Sequence, residues 1–320
     1  IYTGEDTLSL HDALPIFFLL TDNLAGGKMQ TMKRRLKFKL RQSLFRSELE
    51  EVQQYFESKQ LTPLFERDPS LALKCTRAYL WSGLDGHSRV KAQLAFLDWF
   101  QSKFKLPYLL AFYEPERVSI AKIQHNDTDF DVMLGPSRGL GREGELMVTL
   151  HVNGTLLMRS SISVLPAKML GLPGDGHAMF LGCFQGVSNT KDLIKQATQA
   201  LERTKPGFFL LNALQALAQA WGLVGIVGVA DKKHAYANYF SLSKRISMSY
   251  DELWQQLGAT EQTVQGHWLL PLVWEPRPEH EVESKKRSAL KRRNALRQQF
   301  IDVCTLGFEQ LGSENLNYPE

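Results

Sequence analysis

Apolar and polar positions alternate with two different periods along this chain, and the change of period divides it. Leu36, Leu40, Leu44, Leu49, Val52 and Phe56 recur at near-helical spacing with basic residues between them, which predicts an amphipathic helix. Asp68-Pro69 opens a second helical stretch through LALKCTRAYLWSGL, and RVKAQLAFLDWFQSKF predicts a third that stops before Pro107. From Tyr113 onward the period shortens to two. SIAKIQH, FDVML, ELMVTLHV and TLLMRSSISVL read as strands, with Asn153-Gly154 as a hairpin turn between the last two. MFLGCFQGV predicts a further strand ending at Gln185-Gly186.

Two helices follow: TKDLIKQATQALERT, with Asn189 as its cap, and FFLLNALQALAQAW, which ends at Gly222. LVGIVGVAD is apolar on both alternating faces, as a strand covered on two sides must be. The order strand, helix, helix, strand predicts a crossover between neighbouring strands. YDELWQQLG is a helix and HWLLPLVW a strand. After a Pro- and charge-rich loop, Ser284 caps a cationic helix. The fold class is α/β (α+β): a helical region over residues 32–112, a mixed sheet flanked by helices over 113–304, and a tail over 305–320.

Charge changes this picture at the ends. Residues 28–46 carry eight Lys/Arg and residues 285–297 carry seven, with no acid in either block. Outside them 23 basic residues face 34 acidic ones, so the body is acidic and two segments are cationic. Such blocks are either solvated helix faces or attractors of an anionic membrane surface or nucleic acid. Three dispersed cysteines argue against a disulfide framework or zinc ribbon. With no membrane-length apolar run, a cytoplasmic protein, peripheral at the inner membrane if the basic helices bind lipid, is the expectation.

Residues 1–16 are expected to be translated sequencing-library adapter and not native sequence. TLSLHDALPI (Thr7 to Ile16) is the translation of a sequencing-library adapter, and acids stand where a signal peptide needs basic residues. The expected natural start is Met29 or Met32, with residues 17–31 an uncertain leader.

Few motifs carry chemistry. GPSRG (Gly135 to Gly139) has the spacing of a serine nucleophile elbow, but a strand follows it where the elbow needs a helix. No P-loop, dinucleotide fingerprint or HExxH occurs. GREGEL sets Arg142, Glu143 and Glu145 at the entrance to a strand, as a turn of surface ion pairs or as the polar lining of a cleft. His234 lies just past the buried strand, where α/β sheets bind ligands; it can be a general base, a hydrogen-bond donor or a loop residue.

The segments LGREGELMVTLHVNG, FLGCFQG, KPGFFLLNALQALAQAWGLVGIVGVADKKHAY, YDELWQQLG and SKKRSALKRRNAL together resemble the VirK/YbjX proteins of Gram-negative bacteria, over roughly Leu71 to Val303. AFLDWF departs from the His-Tyr pair common in those relatives. The resemblance implies family-typical roles for Arg142, Glu143, Glu145, Gln185, Gly186, His234 and the Lys285-Lys286-Arg287 cluster, and links to virulence, envelope stress and tolerance of cationic peptides. The strand order also resembles the GNAT acyltransferase fold, in which a glycine-rich loop at a helix N-terminus holds the CoA pyrophosphate. Here TKPGFF keeps one glycine, Gly207.

The first resemblance implies no particular reaction; the GNAT resemblance implies an acyltransferase acting on an envelope-related acceptor. An acyl-CoA or acyl-carrier-protein donor would be held by Gln185, Gly186 and Gly207. His234 would be the base, with Glu143, Glu145 and Arg142 at the acceptor. The alternative is a non-catalytic protein that uses Lys285, Lys286 and Arg287 on anionic lipid or nucleic acid.

Overall fold

The computed structural model describes residues 40–113, 117–238 and 248–316. Residues 1–39 lie outside them, so the adapter reading, both candidate start codons and Leu36 do too. The described residues fall into two compact units: those of 40–77 with 84–94, and those of 78–83 with 95–316.

In the described part of the first unit, α1 (Arg46–Ser58) and α2 (Thr62–Arg67) precede a 3-10 segment over Pro69–Thr76. α1 buries Leu49, Val52 and Phe56, as its spacing predicts, and Phe56 stacks on Phe65 at 3.8 Å. The sequence reading is corrected after Asp68. Its side chain caps Ser70 N–H, but the 3-10 turn ends at Thr76, and no helix continues through AYLWSGL. α3 (Gly86–Lys103) runs from the first unit into the second.

The second unit is α/β, as the sequence pattern requires. α4 (Leu106–Phe112) leads to β1 (Val118–His125), β2 (Thr128–Pro136), β3 (Leu146–Val152), β4 (Thr155–Pro166) and β5 (His177–Gly186), an antiparallel meander. Asn153 and Gly154 take φ of +48° and +75°, the primed turn their dipeptide favours. Asn126-Asp127 make the same kind of turn between β1 and β2. α5 (Lys191–Ala200) and α6 (Pro206–Ala220) then cross over to β6 (Ile226–Gly228), which pairs parallel to β5. α7 (Tyr250–Gln256), β7 (Glu261–Gln262), β8 (Trp268–Leu270) and the long α8 (Ser284–Leu316) complete the order β1-β2-β3-β4-β5-β6-β8-β7.

Three local readings are corrected. Asn189 caps no helix: Thr190 holds that position, without a side-chain cap, and Asn189 is left-handed at φ +64°. The strands read in LVGIVGVAD and HWLLPLVW shrink to three residues each, because β6 and β8 pair only over Ile226–Gly228 and Trp268–Leu270.

That short pairing shapes the sheet. β5 and β6 are in register only from Met179 to Leu181, and Val229 N–H still reaches Leu181 O at 3.0 Å. Beyond that point the strands part, and α7 fills the gap. Trp254 donates to Val229 O at 2.7 Å, and its ring lies 2.5 Å from where a Cβ on Gly228 would stand.

Candidate functional site

The gap between β5 and β6 gathers buried polar groups from distant parts of the chain. In β5, Gly182 is a bulge: Ser161 pairs with Cys183 and Ile162 with Leu181, leaving Gly182 unopposed. The β2–β3 loop settles on that bulge. A Cβ on Gly182 would overlap the carbonyl oxygen of Glu143 and stand 2.7 Å from its carbon. Gly144 is as tightly held, with a virtual Cβ 2.7 Å from Ile162 O. The absent side chains let two backbones touch, and the contact fixes Glu143 over the sheet.

Residues 78–83 cross the same place as an irregular segment, with Leu80 left-handed at φ +56°. Leu80 N–H donates to Arg142 O at 2.7 Å, Trp81 forms an antiparallel bridge with His234, and Ser82 N–H donates to Lys233 O at 2.8 Å. Tyr79 thereby reaches Glu145, whose carboxylate accepts its hydroxyl proton in a short hydrogen bond. Burial first, and then the Glu145 charge, hold the Tyr79 phenol well above its usual range.

His234 is 1% exposed and Glu143 5%. The His234 Nδ1 accepts from Tyr236 N–H at 3.3 Å, which in a neutral ring leaves the proton on Nε2. That nitrogen faces Glu143 Oε1 at 3.4 Å. Among the described residues neither His234 Nε2 nor Glu143 Oε2 has a hydrogen-bond partner, so a buried carboxylate oxygen is left unclaimed. The Tyr250 ring stacks on the imidazole at 5.3 Å and 13°. Its hydroxyl meets the Cys183 thiol and Phe184 N–H; burial, then the Cys183 and Glu143 groups, push its titration up. Cys183 is pushed up as well, by burial and then by Glu143, so the thiol stays protonated and is no nucleophile.

A carboxylate clamp holds this turn against α7. Asp231 accepts from Tyr250 N–H at 2.6 Å and Ser249 Oγ at 2.7 Å, while Asp251 accepts from Asp231 N–H at 3.0 Å and Trp268 Nε1 at 2.8 Å. Asp231→Ala should cost about 2 kcal/mol of stability, the upper range for a lost helix cap, read from the urea midpoint. The same variant should move the His234 ring resonances.

The sequence-predicted residues do not converge as a group. Glu143 and His234 come together, Glu145 turns to Tyr79, and Arg142 contributes its carbonyl to Leu80. Gln185, its amide oxygen toward the guanidinium, accepts from Arg159 at 3.0 and 3.2 Å. Gly186 is exposed at the strand end, and Gly207 sits in the first turn of α6, 3.5 Å from Phe184 by its virtual Cβ, so its space would admit a side chain. Lys285 and Lys286 pair with Glu283, and Arg287 donates to Val282 O. Lys291 and Arg292 likewise pair with Glu279 and Glu202, so acids already offset much of the cationic face of α8. Sequence reasoning missed Tyr79, Tyr250, Cys183 and Gly182. Of these only Gly182 left a signal, an isolated glycine within a strand pattern.

Among the described residues no group of His, Cys, Asp and Glu is arranged to hold a metal, and no helix is long and apolar enough to cross a membrane. A family model described as "Protein of unknown function (DUF535)" matches residues 27–303. Two uncharacterized proteins of Haemophilus influenzae are similar to the chain. One is 34% identical over 139 residues, covering 42% of this chain and 44% of the relative; the other is 25% identical over 139 residues, covering 43% and 45%. The chain thus matches less than half the length of these curated relatives. No solved structure matches. These findings correct the VirK/YbjX resemblance: the family matched is DUF535. The virulence, envelope-stress, cationic-peptide and acyltransferase implications fall with it, since the family and both relatives carry no assigned activity.

Proposed function

The chain belongs to the DUF535 family of proteins of unknown function, and for it we propose an acid–base site in which Glu143 takes a proton from an N–H or O–H of a small polar substrate. One observation carries this reading: Glu143 Oε2 is buried without a partner, while Oε1 faces His234 Nε2 at 3.4 Å. An ionised carboxylate withdrawn from water is costly unless something compensates it. A ligand proton at Oε2 would compensate it.

The tautomer sets the division of labour. With Nδ1 occupied by Tyr236 N–H, the proton of a neutral ring sits on Nε2, 3.4 Å from Glu143 Oε1, so Glu143 and not His234 is the base. His234 then orients Oε1, and Tyr250 holds the imidazole flat. Glu145 is structural, since Tyr79 already claims it. The sheet order and the parting of β5 from β6 support a GNAT-like arrangement as the finer description of the fold, with no acyl transfer implied.

Ligand-observed NMR over a library of small amines and alcohols tests the site, with Glu143→Gln as control. Hits should be lost in that variant while its circular dichroism stays unchanged. Because the proton passes from ligand to Glu143 within the complex, calorimetry of a hit in two buffers of different ionisation enthalpy should show no net proton exchanged with solvent. A folded Gln variant that binds every hit with unchanged affinity would refute the proposal.

A further inference from the structure

The face of the sheet that carries Cys183 continues away from Glu143, and its next side chains are cationic. Ser161 pairs with Cys183, and two residues along the strands Arg159 pairs with Gln185, about 7 Å further at strand spacing. Both charges act on the Cys183 thiol, Glu143 raising its titration and Arg159 lowering it.

A second guanidinium comes to the same place. Arg117 stands just before β1 and stretches over β2, where Gly135 leaves room for it; a Cβ there would be 2.7 Å from Arg117 Cγ. Its Nη2 ends 3.9 Å from the sulfur of buried Met147, a weak acceptor. Arg159 has the amide oxygen of Gln185. Among the described residues neither guanidinium has a carboxylate in ion-pair range, although both are half-buried. Burial first, and then the Arg159 charge, pull the Arg117 guanidinium below its usual titration range, as expected of two like charges brought together. His151, whose Nε2 meets Thr149 Oγ1 at 3.2 Å, also feels Arg117.

Among the described residues, these two forked cations meet neutral hydrogen-bond acceptors only. Such a pair offers more N–H donors than the two oxygens of one carboxylate can take, and matches the three free oxygens of a phosphate monoester. We propose that Arg117 and Arg159 form a seat for a phosphate group, carried by the substrate whose proton Glu143 takes. The identity of the carrier rests on the reading of Glu143 given above; the seat does not.

The test follows the Nε–H resonances of Arg117 and Arg159 by NMR while inorganic phosphate, methyl phosphate or acetate replaces chloride at constant ionic strength. Methyl phosphate should shift both resonances saturably, at concentrations at least tenfold below those at which acetate does. Arg117→Gln and Arg159→Gln should each weaken it tenfold or more. Arg117→Lys, which keeps the charge and loses the fork, should fall between and covers the case in which a Gln variant fails to fold. Glu143→Gln should leave the methyl phosphate titration unchanged, so the seat and the acid–base reading can fail separately. Shifts no greater than those in chloride, equal binding of acetate, binding of inorganic phosphate with exclusion of methyl phosphate, or saturation that survives in both Gln variants would each overturn the proposal.

Discussion

Gly182→Ala should destabilise the protein by about 3 kcal/mol or more, the upper range for overpacking a rigid contact. A single methyl group at this position would coincide with the Glu143 carbonyl oxygen, and both atoms behind the collision are main chain. A flexible side chain could swing away, but the loop is pinned by Glu143 N–H to Leu140 O, Glu145 N–H to Ile162 O and Leu80 N–H to Arg142 O. Either the bulge flattens or the loop lifts, and lifting it takes Glu143 away from His234. Urea unfolding followed by tryptophan fluorescence would measure the loss. Gly312→Ala in α8 is the control, because nothing lies within 4 Å of its virtual Cβ. There the helix should gain up to about 1 kcal/mol. Equal midpoints for Gly182→Ala and the parent chain would mean that the loop does not bear on the bulge.

That glycine shows what the sequence could reveal and what it could not. Hairpins are local, so Asn153-Gly154 announced one turn, and alternation placed the meander strands correctly. The parallel crossover was also legible, since two helices between a mixed and a wholly apolar strand leave few arrangements. The irregular segment from Ala78 to Gly83 was not. Its Tyr, Leu and Trp suit a helix as well as a strand, and only pairing with His234 and Arg142, far along the chain, decides the matter. The site was legible in the same partial way. His234 could be placed from its position past a buried strand, and Glu143 from its crowded loop. Alternation treated Glu143 and Glu145 alike, yet one meets an imidazole and the other a phenol contributed by a segment 66 residues away. The partners of Arg159 and Arg117 depend on strand register, which side-chain alternation constrains but cannot number.

His267→Leu should flatten the acid side of the stability profile and leave the protein no less stable at pH 8. His267 is fully buried beside Trp81 and Phe180, with ring centroids at 5.3 and 5.4 Å, and among the described residues neither ring nitrogen has a hydrogen-bond partner. Burial first, and then the Lys233 charge, pull its titration from 6.5 down to about 4. A histidine lowered in the fold binds its proton more readily when unfolded, so stability is full above pH 6.5 and falls as pH drops toward 4. Below about 4 both states are protonated and the loss stops growing. Relative to pH 8, the parent chain should lose about 2 kcal/mol at pH 5 through this residue and about 3 kcal/mol by pH 4. Leucine fills a similar volume, removes two unsatisfied nitrogens and cannot titrate. Urea midpoints of both proteins at pH 8, 6 and 5 isolate the effect, because every other titrating group is common to the pair. Parallel profiles would show that the imidazole finds a proton acceptor in solution, and a parent chain relatively more stable at pH 5 would reverse the sign of the argument.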